Sequence, residues 1–170
     1  MKDVEAIYRS PLGAAGGLAV TGSGRQHAHH AVRDRKLPSF AVVLVERGQG
    51  FLETAAGGRQ NVAGPALFWL FPNRVHSYGP DEAGWDERWA LFEGSFTRDF
   101  VRLRLIAERH PVVVLRHLEE MTRLFAQLHA LLARSYQLPG SAVWSMLANS
   151  SALFRSSFTS VATFASSVTV

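Results

Sequence analysis

Short apolar segments separated by Gly and Pro recur at intervals of roughly ten residues along much of the chain, and this pattern limits the fold most. Residues 40–45, 66–71 and 112–115 are continuous runs rich in β-branched or aromatic residues, which is typical of strands buried on both faces. Gly64-Pro65 and Pro72-Asn73 punctuate the chain around the second run. Many short strands of this kind predict a closed or sandwich-like β architecture.

Further segments predict how strands pair and which faces they present. Residues 51–54 and 59–62 flank Gly57-Gly58, a sequence that favours a β-hairpin. Along residues 86–92, alternation places Glu87 and Trp89 on the same face of a strand. An extended conformation of residues 26–35 gives one face with these side chains: His27, His29, Ala31, Arg33 and Arg35.

Helical spacing replaces strand spacing after the last strand. Apolar residues within 119–134 recur every three or four positions, at Met121, Leu124, Phe125, Leu128, Leu131 and Leu132. Pro139-Gly140 ends this helix, and Ser141 can cap a second helix over 141–154, which predicts an antiparallel helical hairpin. A shorter helix is expected near residues 96–109, between the last strands.

These elements divide the chain into four parts. Residues 1–24, rich in Gly, Ala and Ser toward their end, are expected to form an extended N-terminal arm. Residues 25–116 are expected to form the barrel, and residues 117–155 the helical hairpin. Residues 156–170 carry Ser, Thr, Val, Ala and Phe without any charge, and this composition predicts no clear element.

Composition narrows the functional classes. A chain of 170 residues with 47% apolar and 19% charged residues suits one globular domain. The lack of Cys excludes disulfides and thiolate metal sites, and it agrees with a cytoplasmic location. The net charge is +4, but the basic residues are scattered, so no DNA-binding face is predicted. No apolar run is long enough to span a membrane, and no G-x-S-x-G or P-loop motif indicates a hydrolase.

Three segments, taken together, resemble a known family. They are residues 44–50 (LVERGQG), 70–78 (LFPNRVHSY) and 85–94 (WDERWALFEG), with Gly64 between the first two. The set resembles the cupin-type ligand-binding and dimerisation domain of AraC-family transcription regulators, over residues 25–140. The resemblance implies a jelly-roll (double-stranded β-helix) barrel that binds a small effector, expected to be a sugar, without a cofactor. It also implies a homodimer made by the helical hairpin, and a DNA-reading half that this sequence does not include.

The same resemblance implies roles for individual residues. Effector contacts are implied at Arg33, Tyr78, Glu87 and Trp89, with looser contacts from the arm at Thr21 and Pro11. The arm is implied to close over the bound ligand. The family's best-known sugar binder has a histidine where Glu87 stands, so the identity of the effector stays open.

Side-chain chemistry supports a site at these residues. Trp89 offers a flat apolar surface to a sugar ring, while Arg33 and Glu87 offer charged groups that bind hydroxyls. A buried Glu87 requires a partner, either Arg33 or a ligand. The alternatives are core packing for Trp89, a surface position or an ion pair for Arg33, and a plug at the barrel mouth for Tyr78.

A metal-dependent cupin enzyme, such as an isomerase or dioxygenase, is the alternative to a non-enzymatic sensor. His76 follows a Pro-Asn turn, and His27 and His29 form an H-x-H pair; imidazoles of this kind bind zinc or iron. A turn residue with a backbone hydrogen bond is the other interpretation of His76. A dimerisation module with a vestigial pocket is the third interpretation of the chain.

Overall fold

The computed structural model of the protein describes residues 4–9 and 17–134. Within these ranges the elements are β1 Glu5–Tyr8, β2 Ala19–Ala28, β3 Val32–Arg35, β4 Phe40–Thr54, β5 Gly58–Ala63, β6 Ala66–Leu70, β7 His76–Glu93, α1 Thr97–Arg102, β8 Val112–Val114 and α2 Leu118–Arg134. Pro11, the second predicted helix at 141–154 and the tail at 156–170 lie outside the described residues.

The two longest strands, β4 and β7, organise an antiparallel sheet with the order β1-β2-β7-β4-β6-β8, while β3 pairs with β7 and β5 with β4. The first half of β4 pairs with β6 and with the second half of β7. Its second half pairs with β5 and with the first half of β7. Register shifts between Val45 and Gly50 separate these halves, so the sheet has two leaves joined by β4 and β7. The predicted mostly β architecture is confirmed.

Side chains from both leaves meet in one buried cluster, which we call the barrel interior. Its buried apolar members are Ala41, Val43, Val45, Leu52, Val62, Ala66, Phe68, Leu70, Tyr78 and Trp85. Trp89 and Leu91 pack against this cluster, whereas Ala90 and Phe92 belong to a second cluster on the outer face of the sheet. The alternation predicted for residues 86–92 is therefore confirmed.

The helix α2 covers the outer face of the barrel. It spans Leu118–Arg134, one residue longer than predicted, and buries Phe125 and Leu132 of its apolar stripe. Arg88 on β7 and Thr122 on α2 both donate hydrogen bonds of 2.8 Å to Glu46 Oε1 of β4. This network connects the helix to the two central strands.

Two segment boundaries differ from those predicted. The expected helix near 96–109 is shorter, because α1 ends at Arg102 and Arg104 adopts a left-handed φ of 57° that breaks helical geometry. The arm boundary at residue 24 falls inside β2, which pairs with β7. Gly22, Ser23 and Gly24 resemble a loop in sequence, yet they are buried in this strand.

No helix in residues 4–9 and 17–134 has the length and apolar character needed to cross a membrane.

Candidate functional site

Glu87 is a buried carboxylate in the barrel interior, with 2% of its surface exposed. Gln26 Nε2 of β2 donates a hydrogen bond of 2.5 Å to Glu87 Oε1, and Trp85 Nε1 donates one of 2.8 Å to Glu87 Oε2. Burial raises the pKa of Glu87, while these two hydrogen bonds and the charge of Arg35 oppose the rise. Each carboxylate oxygen can accept two hydrogen bonds and accepts one here from the described residues, so Glu87 keeps acceptor capacity for a ligand.

Arg35 supplies a cation to the same interior from β3. Its Nε donates to His76 Nε2 at 3.3 Å, and its Nη2 donates to the Tyr78 hydroxyl at 3.0 Å. Burial and then the positive charge of Arg35 lower the pKa of His76. Burial raises the pKa of Tyr78 to about 12, so its hydroxyl keeps its proton at neutral pH. Two of the five N–H donors of Arg35 are thus used in the described part of the chain.

Aromatic rings pack around these polar groups. The ring of Tyr78 stacks on His76 at 6.1 Å and on Trp85 at 6.3 Å between centroids. Trp89 and Tyr8 of the arm strand β1 form a second pair at 5.5 Å with an interplanar angle of 33°. Tyr8 is 63% exposed, so this pair offers an accessible flat surface.

Glycine in β2 allows the Trp89 ring to lie against the strand. A Cβ added at Gly24 would lie 2.5 Å from Trp89 Cζ2 and 2.6 Å from the Glu5 carbonyl oxygen. No side chain fits there without moving the indole or β1. Residues that the sequence predicted to be part of an extended arm therefore shape the aromatic surface.

The structure separates Arg33 from the other predicted ligand residues. Val32 pairs with Tyr78 and Arg35 with His76, so β3 carries one more residue than β7 between these pairs. Asp34 is the bulge residue: its φ is 47°, and its backbone N–H donates to Ser77 Oγ at 3.0 Å. The bulge turns Arg35 into the interior. The prediction that Arg33 and Arg35 share a face is wrong for this reason.

Arg33 is exposed, with its guanidinium carbon 4.9 Å from the centre of the Phe51 ring. It makes no ion pair with Glu87 in the described residues, where Gln26 and Trp85 hold the carboxylate instead. Tyr78 and Glu87 lie in the interior, and Trp89 packs against it. Thr21 is the extra residue of a second bulge, and its carbonyl oxygen accepts a hydrogen bond of 2.9 Å from the Arg9 backbone.

The histidines considered as metal ligands occupy separate places. His76 is buried, with Nδ1 3.1 Å from the Arg74 carbonyl oxygen and Nε2 facing Arg35, so both ring nitrogens have protein partners. His27 and His29 are exposed, and His27 pairs with Asp86. Across residues 4–9 and 17–134, no three His, Asp or Glu side chains are grouped in a way that could hold a metal ion.

Gln26 was not predicted to be a site residue. Arg35 was placed on a strand face but was given no role. Gln26 lies opposite Glu87 in the pairing of β2 with β7, so its side chain shares the interior face. The alternation of β2 was the available signal, since His27 and Gln26 must face opposite ways. No sequence pattern predicted that Arg35 enters the interior, because its orientation depends on the Asp34 bulge.

Comparisons with known proteins identify one family and several solved structures of low similarity. Residues 17–153 match the family described as AraC-like ligand binding domain. No curated protein sequence matches the chain. Among solved structures, Bacillus subtilis oxalate decarboxylase, studied for its Mn(II) centres, shares 17% identity over 56% of this chain, with a TM-score of 0.41. The chain spans only 26% of that enzyme.

Two smaller proteins show a similar degree of likeness. A Cupin 2 conserved barrel domain protein from Salinispora arenicola shares 10% identity over 60% of this chain and 84% of its own, with a TM-score of 0.41. A protein from Neisseria meningitidis shares 14% identity over 54% of this chain and 84% of its own, with a TM-score of 0.41. The family match covers most of the sequence, and the mostly β architecture of the described residues agrees with it. The chain belongs to the family of AraC-like ligand binding domains.

Proposed function

We propose that this domain is the effector-sensing part of an AraC-type transcription regulator and that its effector is a sugar or a similar polyhydroxylated molecule. The observation that carries the proposal is the pair of unlike charges in the barrel interior. Arg35 and Glu87 act on each other through their charges, yet no ion pair joins them in the described residues. Separated charges with remaining hydrogen-bonding capacity suit a neutral ligand that carries several hydroxyl groups.

The aromatic surface supports the same ligand class. Sugar rings present a flat face of C–H bonds, which pack on an aromatic ring, while their hydroxyls need polar partners at the edge. Trp89 and Tyr8 supply the flat surface, and Glu87 lies two residues from Trp89 on the same face of β7. Tyr8 belongs to β1, so ligand binding at this surface can order the arm strand.

A binding role rather than a catalytic one is part of the proposal. The polar side chains of the interior are bound to other protein groups. His76 is hydrogen-bonded to the Arg74 carbonyl oxygen and to Arg35, and Glu87 is hydrogen-bonded to Gln26 and Trp85. The His76 ring has no free nitrogen to offer as a metal ligand or as a general base in this arrangement. This donor set favours a sensor over the alternative of a metal-dependent cupin enzyme.

We further propose that the domain forms homodimers through its C-terminal helices, beginning with α2. The Arg88–Glu46–Thr122 network supports a route from ligand to dimer, because Arg88 lies between Glu87 and Trp89 on β7. A shift of β7 on ligand binding therefore reaches α2 through one carboxylate. Sedimentation of the chain with and without ligand tests this part separately.

Isothermal titration of the chain with a panel of monosaccharides and disaccharides tests the effector proposal. We expect one sugar to bind with 1:1 stoichiometry, and we expect Trp89→Ala and Glu87→Ala each to weaken binding at least about tenfold, the effect of losing roughly 1.4 kcal/mol. Arg33→Ala is the matched control and should bind as the wild type does, because Arg33 lies outside the interior. A panel without any binding sugar, or equal loss in Arg33→Ala, contradicts the proposal.

A further inference from the structure

A cavity of about 150 Å³ lies between the helix α2 and the strands β1 and β2, outside the barrel interior. Small residues on both sides leave this space open. Ala126 and Ala130, one turn apart on α2, line the cavity together, and Ser23 and Gly24 of β2 line it from the sheet. Phe125, which belongs to the cluster on the outer face of the sheet, adds an aromatic ring to the wall. The cavity therefore offers a largely apolar surface beside the helix.

Three ionisable side chains that also line this cavity meet at the carboxylate of Glu5. Arg25 Nε of β2 donates a hydrogen bond of 2.8 Å to Glu5 Oε2, and His129 Nε2 of α2 lies 3.1 Å from Glu5 Oε1. The hydrogen bond from Arg25 lowers the pKa of Glu5 most; desolvation opposes it, while the charge of Arg25 and the contact with His129 lower the pKa further. Arg25 and His129 thus favour an ionised carboxylate between them.

The carboxylate that occupies this position comes from the arm strand β1 and can be replaced. Strand β1 has four residues, lies at the end of the sheet and pairs with β2 alone among the described strands. The Glu5 side chain is 51% exposed, and ion pairs at such exposed positions contribute little to stability. A carboxylate from a bound molecule can therefore take the place of Glu5 without disrupting the barrel.

We propose that this cavity binds a small monocarboxylic acid with an apolar body, such as benzoate, whose carboxylate replaces that of Glu5 between Arg25 and His129. A cavity of about this volume with apolar walls accommodates a benzene-sized ring. The ring packs against Phe125 and the two alanines of α2, while the arginine and the histidine bind the charge. Binding removes the contact between β1 and α2. The site is separate from the barrel interior and does not depend on the effector proposed there.

Nuclear magnetic resonance titration of the full chain with benzoate, and with benzamide as its neutral isostere, tests the site. We expect benzoate to shift the imaging-independent imidazole proton signals of His129 and to bind more tightly than benzamide. Glu5→Gln should tighten benzoate binding at least about threefold, because it removes the competing carboxylate. Arg25→Gln should weaken it at least about threefold, because it removes the cation.

A pair of alanine variants separates this cavity from any other place where benzoate could bind. Ala130→Leu fills the space and should weaken binding, whereas Ala133→Leu, at an exposed alanine of α2 that does not line the cavity, should leave the affinity unchanged. Three results overturn the site: no binding of millimolar benzoate by Glu5→Gln, equal binding of benzamide and benzoate, and an equal loss in the two alanine variants. Far-ultraviolet circular dichroism of every variant checks that the β fold is retained.

Discussion

Trp85 and Glu87 lie two residues apart on β7, and Trp85 Nε1 donates a hydrogen bond of 2.8 Å to Glu87 Oε2. Strand alternation turns both side chains into the interior, where Gln26 holds the other carboxylate oxygen at 2.5 Å. The carboxylate is thus oriented by its own strand and by a neighbouring one before any ligand arrives. Orientation of this kind lowers the entropy that a ligand must remove on binding.

The buried Glu87 carboxylate makes stability depend on pH. Burial raises its pKa above 4.5 in the folded chain, so the folded state holds this proton more tightly than the unfolded state. The stabilisation that comes from binding this proton is therefore fully present below pH 4.5 and is lost as the pH rises through the folded-state pKa of Glu87. We expect the free energy of unfolding of the wild type, relative to Glu87→Gln, to fall over that range. Urea denaturation of both proteins from pH 4 to pH 8 measures the difference, and parallel curves contradict it.

Burial and, after it, the charge of Arg35 lower the pKa of His76. The Arg35 guanidinium lies within hydrogen-bond distance of His76 Nε2. In Arg35→Ala the His76 pKa should rise toward 6.5, since only burial then holds it down. Nuclear magnetic resonance of the imidazole protons measures this directly. Arg33→Ala should leave the His76 pKa unchanged. A shift of the same size in that variant would contradict the specific effect of Arg35.

Glu46 fastens α2 to the barrel. Glu46→Ala removes the carboxylate that Arg88 binds, and the Arg88 side chain is only 18% exposed. We therefore expect the free energy of unfolding to fall by about 1–3 kcal/mol. Thr122→Val removes one of the two hydrogen bonds and should cost about 1 kcal/mol. Glu53→Ala is the control, because its ion pair with Arg59 is at least half exposed and contributes about 0–1 kcal/mol. Urea denaturation ranks the three variants, and a loss in Glu53→Ala equal to that in Glu46→Ala refutes the ranking.

Gly24 and Gly22 differ in how closely they approach the aromatic surface. A Cβ at Gly24 meets Trp89 Cζ2 at 2.5 Å, whereas one at Gly22 meets the Tyr8 ring at 3.1 Å and Leu91 at 3.2 Å. Gly24→Ala should therefore destabilise the domain by about 1–3 kcal/mol and shift the tryptophan fluorescence. Gly22→Ala should have the smaller effect on both. The reverse order would show that Trp89 does not lie against β2.

The part of strand β7 at residues 86–92 and helix α2 could be predicted because their apolar side chains recur at regular intervals. The faces of Glu87, Trp89 and Phe92 follow from alternation alone, and the apolar stripe of α2 carries Phe125 and Leu132 to the barrel. Both elements bury one face against many neighbours. The local pattern and the tertiary contacts therefore favour the same structure.

Other parts of the site depend on contacts that no local pattern records. Gly22 and Gly24 have low strand propensity, yet pairing with β7 and contact with aromatic rings place them in β2. The left-handed φ of Asp34 depends on the hydrogen bond to Ser77, which is distant in sequence. The resemblance implied a role for Arg33, and no local pattern indicated that Arg35 enters the interior.

The Asp34 bulge has a consequence for how such domains diverge. One extra residue in β3 puts two nearby arginines on opposite faces of the strand, with Arg35 in the interior. Inserting one more residue after Asp34, with the bulge kept, would place the new residue opposite His76 and turn Arg35 to the outer face. An insertion in a short edge strand can thus change the charge that an effector meets while every residue of the other strands stays the same.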